Sequence, residues 1–255
     1  MIQLFSYREL IKNLVLKDLK LKYRDSTLGF FWSLANPLLL IAVYSFVFTR
    51  MLRVDTPDFP YFLLVGLLPW NFFAQSLMMS TGSVIDNGNL IRKVRLPIEV
   101  FPIATVLFNL AQFLLALIVL LPATMLLFPT RVSWTFLAFI PILALHVLFT
   151  VGLCFIFSTA TVFFRDVRHF TEIFLMLLFW LTPIVYDVRA LAESLRAVVF
   201  MNPVAFFITS YQDIFYRQSL PSPAHFTGLC VISVLSLACG YSVFRAFRLR
   251  FAEEV

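Results

Sequence analysis

Six long apolar segments alternate with short polar ones along the chain, approximately Leu28 to Phe48, Tyr61 to Ile85, Ile98 to Phe128, Trp134 to Phe164, Phe170 to Tyr186 and Ala224 to Phe244. Each approaches or exceeds the roughly 20 residues that a helix needs to cross a bilayer. An unclosed sheet could not satisfy its backbone in hydrocarbon. The pattern therefore predicts an all-α integral membrane protein with six transmembrane helices. Ahead of them, Leu4, Tyr7, Leu10, Ile11, Leu14 and Val15 fall on one helical face, and Arg8, Glu9 and Lys12 on the other. That spacing predicts an amphipathic interfacial helix within residues 1–25. Its basic continuation, Lys17, Lys20, Lys22 and Arg24, suits anionic headgroups, and a generic basic flank explains the same charges.

Between the fifth and sixth segments, Asp187 to Pro223 carries a middle apolar enough to suggest a seventh crossing. Charge decides against it. With the N-terminus inside and six spans, fourteen Lys and Arg fall on the cytosolic side and only six, Arg50, Arg53, Arg131, Arg189, Arg196 and Arg217, on the outer side. A seventh span would move Arg245, Arg248 and Arg250 outside. The segment is therefore expected to form two short re-entrant helices at the outer mouth. They should break at Asn202-Pro203, where Asn is a good N-cap and Pro a good first helical residue. The chain reads as one transmembrane domain over 1–255. It comprises the interfacial helix, spans 1 to 5 over 28–186, outer gate helices over 187–223, and span 6 with a cytosolic tail over 224–255. Both termini are expected in the cytosol, and no cleavable leader is expected, because the first apolar run is already long enough to span.

One polar and basic island stands out between spans 2 and 3: Asp86-Asn87-Gly88-Asn89-Leu90-Ile91-Arg92-Lys93 and on to Pro97. Asn87, Gly88 and Asn89 can cap and turn a short helix that displays Leu90, Ile91 and Arg92, a small apolar knob with a charged rim. Resting on lipid headgroups is the plainer use of Leu90 and Ile91. At the end of span 4, Asp166 lies between Arg165 and Arg168. A carboxylate near hydrocarbon is expected to pair with a cation and hold spans 4 and 5 in register.

Composition agrees with the membrane reading: 61% of residues are hydrophobic and 13% charged, against roughly a quarter charged in soluble domains. Between Leu28 and Phe48, Tyr61 and Ile85, Val100 and Phe128, and Phe226 and Phe244 there is no Asp, Glu, Lys, Arg or His; the fourth span holds only His146, and the fifth only Glu172 near its start. A proton- or ion-coupled transporter usually needs such groups at the midplane. His146 reads as a hydrogen-bonded packing residue rather than a relay. None of the seven glycines belongs to a phosphate-binding loop, so a nucleotide would have to be bound by another subunit. Cys154, Cys230 and Cys239 show no metal or disulfide spacing, and no metal site is predicted. Hydrolase motifs are missing too. The isolated carboxylates Asp25, Asp86, Glu99 and Asp166 leave a membrane-surface glycosyl-transferring enzyme as an alternative.

The chain carries thirty-one Phe, eight Tyr and four Trp. Most such rings pack or face lipid, but on helices around a conduit they offer flat surfaces over which sugars can slide. Trp32, Tyr44, Phe174, Trp180 and Tyr186 are the candidates for channel lining.

Several short motifs occur in register with this topology. They are Tyr23-Arg24-Asp25-Ser26-Thr27-Leu28-Gly29 with Trp32 and Pro37, Gly66-Leu67-Leu68-Pro69-Trp70, Asn89-Leu90-Ile91-Arg92-Lys93 through Pro97, Arg165-Asp166 with His169, and Asn202-Pro203 followed by Tyr211-Gln212-Asp213. In order and over nearly the whole chain, they resemble the permease subunits of type 2 ABC exporters that move O-antigen, teichoic acid and capsule polymers. The resemblance implies a homodimer around a channel in the bacterial inner membrane, with two ATP-binding cassette subunits that bind ATP and Mg. It also implies a polysaccharide carried on undecaprenyl pyrophosphate and no nucleic-acid partner. It places ATPase coupling at the N-terminal helix and at Asp86 to Lys93; the cytosolic entrance is expected at Tyr23 and Arg24, and the outer gate at Asn202, Pro203 and Tyr211. A permease of the same architecture for a lipid or small hydrophobic molecule is the alternative within that class.

Overall fold

The computed structural model describes residues 7–23, 31–51, 53, 56–93, 96–127 and 133–254, and every regular element among them is helical. Helix α1 spans Arg8–Tyr23, α2 Phe31–Ser45, α3 Phe59–Ser83, α4 Gly88–Lys93, α5 Val100–Leu127 and α6 Phe139–Phe163. Then follow α7 at Val167–Leu181, α8 at Glu193–Val199, α9 at Pro203–Tyr211, α10 at Pro223–Phe247 and α11 at Phe251–Glu254. Two stretches unwind to π-helix, Phe46–Met51 after α2 and Gln212–Tyr216 after α9.

Among the described residues, four helices are long and apolar enough to cross a membrane: Phe59–Ser83, Val100–Val119, Trp134–Phe163 and Pro223–Phe247. The number rises to five if α8 and α9 with its π-helical end are counted together, but those two halves are bent by 106° at Asn202-Pro203. The other two expected spans differ: the first is helical over 31–51 where described, and the fifth is shorter. The start of the first, Leu28, lies outside the described residues, and its apolar helical part is Leu38–Met51. The fifth ends at Leu181 after 15 residues, not at Tyr186. Thr182 leaves the helix with φ −98° and ψ 134°, because the residue before a proline, here Pro183, clashes in the α region.

Helix α3 is the hub, with 72% of its apolar window buried by the rest of the fold. It touches α2, α5, α6, α7, α9 and the π-helical turn after α9. Pro60 sits in its first turn, where the missing N–H costs nothing. Phe72 and Phe73 close around His146, Phe149 stacks on Phe73, and Phe207 stacks on the imidazole at 4.7 Å. His146 Nδ1 lies 3.3 Å from the Tyr211 hydroxyl. The histidine is a packing residue with one polar partner, as expected.

Helices α6 and α10 make the most extensive pairing, and glycine makes it possible. A Cβ on Gly240 would lie 2.7 Å from the Gly152 carbonyl carbon and 2.9 Å from its Cα. Only small residues allow backbones this close, the usual device between helices that lack a hydrophobic drive to associate in lipid. Ser236 Oγ adds an interhelical hydrogen bond to the Phe149 carbonyl at 2.8 Å. Elsewhere α10 is mostly exposed, presenting Val231, Val234 and Leu235 outward. Helix α7 likewise exposes Phe170, Ile173, Leu177 and Trp180. Apolar faces of this kind suit hydrocarbon rather than water.

Candidate functional site

The polar island and the 187–223 segment lie at opposite ends of the long helices. At the island end, α3 stops at Ser83, one 3-10 turn covers Ile85–Asn87, and α4 occupies Gly88–Lys93. Asn87 does not cap α4 from in front, as the sequence suggested. Its Nδ2 donates backwards to the Ser83 carbonyl at 2.9 Å, closing the end of α3. Gly88 is buried and helical, with φ −53°. Asp86 folds over Gly82, where a Cβ would come within 3.2 Å of the Asp86 Cγ.

The island is not displayed whole. Ile91 packs with Ile85 against a cluster formed by Val84, Phe155, Val162, Phe244 and Phe251. Leu90 is half-buried outside that cluster, and Asp86, Asn89, Arg92 and Lys93 are exposed. The exposed rim is therefore polar and basic, with Leu90 as its apolar member and Ile91 as its root. Just beyond it, Glu99 is 4% exposed and accepts from Arg248 Nη1 at 3.0 Å. Sequence reasoning set Glu99 aside as isolated. Nothing local marks a pairing across 149 residues.

On α1, Tyr7, Leu10, Ile11, Leu14 and Val15 are half-buried, and Arg8, Glu9 and Lys12 are exposed, as the spacing predicts; Leu4 lies outside the described residues. The helix lies against α5. Lys22 Nζ donates to Gln112 and stands 5.9 Å over the Phe108 ring. Partial burial lowers the Lys22 pKa from its usual value, because the charged form loses water. Arg24 and the side chains of Tyr23 and Trp32 lie outside the described residues.

Among the described residues Asp166 makes no ion pair of the expected kind. Together with Arg165 and Arg168 it is exposed, and among the described residues no cation approaches its carboxylate. A carboxylate exposed at the α6–α7 turn needs no partner where water reaches it.

At the other end the chain is cross-braced. Asn202 Oδ1 accepts from the Val204 N–H at 2.9 Å, capping α9, while its Nδ2 donates to Thr182 Oγ1 at 2.8 Å. Pro203 takes the first helical position. Gln212, fully buried, donates to the Pro183 carbonyl at 2.6 Å. Arg217 is the keystone, reaching Asp187 Oδ1 at 2.5 Å and Asp213 Oδ1 at 2.9 Å. Arg189 reaches the same Asp213 oxygen at 2.9 Å from a more exposed position. These contacts tie the extended stretch after α7 to the α8–α9 pair. Asp213, Arg217 and Asp187 escaped sequence reasoning apart from the motif containing Asp213, since the contact spacing of 30 residues follows no helical period.

Tyr211 is 1% exposed and sits in the core beside His146, Phe113 and Phe139. It is a root of the α8–α9 pair rather than part of its rim. Among the described residues, the channel-lining candidates Tyr44, Phe174 and Trp180 make ring contacts with other residues rather than with one another. Tyr44 leans on Phe179 at 6.2 Å and Phe174 stacks on Phe170 at 6.0 Å. Tyr186 packs on the core, and Trp180 is 56% exposed on the outward face of α7.

Long apolar helices, a buried aromatic hub and polar devices confined to the two ends define a multi-pass membrane protein. Comparison with known proteins gives its family. The ABC-2 type transporter family profile matches residues 9–216, and the chain belongs to that family. It is 37% identical over 255 residues to the O-antigen export system permease protein RfbA of Myxococcus xanthus, covering 99% of this chain and 98% of the relative. Identity to the protein of the same name from Klebsiella pneumoniae is 36% over 242 residues, 93% of this chain and 91% of the relative. The polysialic acid transport protein KpsM of Escherichia coli is more distant, at 21% over 243 residues and 92% of each chain. The chain is thus a transport component of the permease kind, not an enzyme.

Proposed function

We propose that this chain is the channel-forming permease subunit of an ATP-driven exporter. Its cargo would be an O-antigen-type polysaccharide carried on undecaprenyl pyrophosphate and moved across the bacterial inner membrane. One observation carries the reading: identity of 36–37% to permeases named for O-antigen export, over more than nine-tenths of the chain. Two copies would enclose the conduit. Two ATP-binding subunits, holding ATP and Mg, would dock on the island. The charge asymmetry along the sequence supports a cytosolic island and cytosolic termini.

In this arrangement α2 and α7 complete six crossings and α1 lies along the cytosolic surface. Helices α8 and α9 enter and return on the outer side. Their 106° bend favours a hairpin over a single crossing. The cross-braces at Asn202, Gln212 and Arg217 support the gate reading, since they would hold that hairpin in a defined position.

The test is transport in inverted vesicles that contain the permease, its ATPase and polymer on undecaprenyl pyrophosphate. ATP should carry the polymer into the lumen, where added glycosidase cannot reach it. Transport of a short-chain phospholipid in place of the polymer would instead establish the lipid-exporter alternative.

A further inference from the structure

The segment that follows α10 is held tightly against the island although it contains only a single helical turn. Phe251 is 0% exposed. Its ring lies 5.1 Å from that of Phe244 and 6.2 Å from that of Phe163. It belongs to the same cluster as Val84, onto which Ile85 and Ile91 pack. Helix α11 also touches α4 directly. On the other side of the island, Glu99 is anchored to Arg248. The polar loop between α3 and α5 is therefore fixed at both ends, and in both cases by Arg248–Phe251 or residues packed on it.

The Glu99–Arg248 pair is a poor stabiliser. Glu99 is buried, and its second oxygen, Oε2, has no hydrogen-bond partner among the described residues. Such a pair roughly breaks even against apolar side chains of similar volume, and its best-attested use is to fix register. A helix of six residues such as α4 is also too short to hold its own shape or angle. Its orientation has to come from what it rests on.

We infer that Arg248 and Phe251 are positioning residues for the island. Phe251 forms the seat of Ile91, and Arg248 fixes the start of α5. A force applied to the exposed rim passes through this seat to α10, and through the Gly152–Gly240 contact to α6. The inference rests on the functional reading above, in which a soluble partner docks on the island. It adds the route by which docking reaches the long helices. Loss of the seat would leave a folded permease whose island is misplaced.

The experiment uses the full-length permease without Cys154, Cys230 and Cys239. Ile91→Cys should react with a soluble maleimide about fivefold faster when Phe251→Ala is added, because the seat opens locally. Phe251→Leu should return it to the starting rate. Glu99→Gln keeps size and removes the charge, giving a second variant that preserves the fold, and should also speed labelling. Val188→Cys, buried at the opposite end, reports global loosening and should not change. Unchanged labelling of Ile91→Cys in both variants overturns the inference. The second readout is the Kd of the permease for its ATPase subunit, which should rise about fivefold with Phe251→Ala and recover with Phe251→Leu. Undiminished affinity beside faster labelling overturns the positioning role. A native permease that binds no ATPase overturns the functional reading itself, a result that does not depend on Phe251.

Discussion

Replacing Gly240 by alanine adds one methyl group where α10 meets α6, and the structure gives it no room. The new Cβ would face the Gly152 carbonyl carbon at 2.7 Å and its Cα at 2.9 Å. Carbon atoms rest at roughly 3.5–4.0 Å, so the helices must part by about 1 Å. Both offending atoms are backbone and cannot rotate away. Overpacking of this kind costs about 1–3 kcal/mol. Separation also stretches the Ser236–Phe149 hydrogen bond, now 2.8 Å. Such a bond between membrane helices contributes about 0.6 kcal/mol. The expected loss is about 2–4 kcal/mol, in sum of these two terms. Reversible unfolding in mixed micelles measures it. Gly228→Ala on the same helix is the control, because its Cβ would meet only the Phe206 ring at 3.3 Å, and that ring can turn. Equal stability of the Gly240→Ala, Gly228→Ala and unaltered proteins would refute close glycine packing as the basis of the α6–α10 pairing.

Three further outcomes follow from the two ends of the molecule. Asn202→Ala loses both the cap on Val204 and the bond to Thr182. It should cost about 2 kcal/mol and make α8–α9 more susceptible to protease in the folded protein, whereas Asn202→Ser should retain the cap alone and cost less. Arg217→Gln leaves Asp187 and Asp213 without their least exposed cation and should destabilise by about 2 kcal/mol or more. Arg189→Gln, which breaks a more exposed pair, should cost under about 1 kcal/mol, and thermal melts of the two variants side by side distinguish them. Asp166→Asn should leave permease yield, stability and transport unchanged, since the carboxylate is exposed and unpaired among the described residues; a loss of assembly would show that it meets a partner in the complex.

The amino-acid pattern reveals more of the helices than of what fixes them. Long runs without charge mark α3, α5, α6 and α10 within a few residues of their ends, because hydrocarbon imposes both length and composition. Asn202-Pro203 is legible as a break for a local reason, one side chain capping and one ring preset for the first turn. Helix α7 ends early for an equally local reason, Pro183 acting on Thr182, which apolar content alone conceals. The candidate site is less legible because its contacts are long-range. Ile91 looks like an exposed knob until the cluster that contains Phe251 is seen behind it, and the burial of Tyr211 beside His146 follows no local pattern. Glycine at 152 and 240 carries no pattern at all until the two backbones are placed together. Among the aromatic residues, the large number hides a division between rings that build the hub and rings on outward faces such as that of α7.

The central claim is that the exposed rim of the island couples this permease to a separate ATPase. Leu90 and Lys93 stand on that rim, and Ile91 belongs to the fold beneath it. The direct measurement is recovery of the ATPase subunit, and of its ATP hydrolysis, on affinity-purified permease carrying Leu90→Asp with Lys93→Glu. The unaltered permease should retain a P-loop ATPase whose hydrolysis it stimulates. The double variant should be recovered in equal amount, elute as the same species in detergent, and lose most of the bound ATPase. Equal recovery of ATPase and equal stimulation by both proteins would contradict the claim.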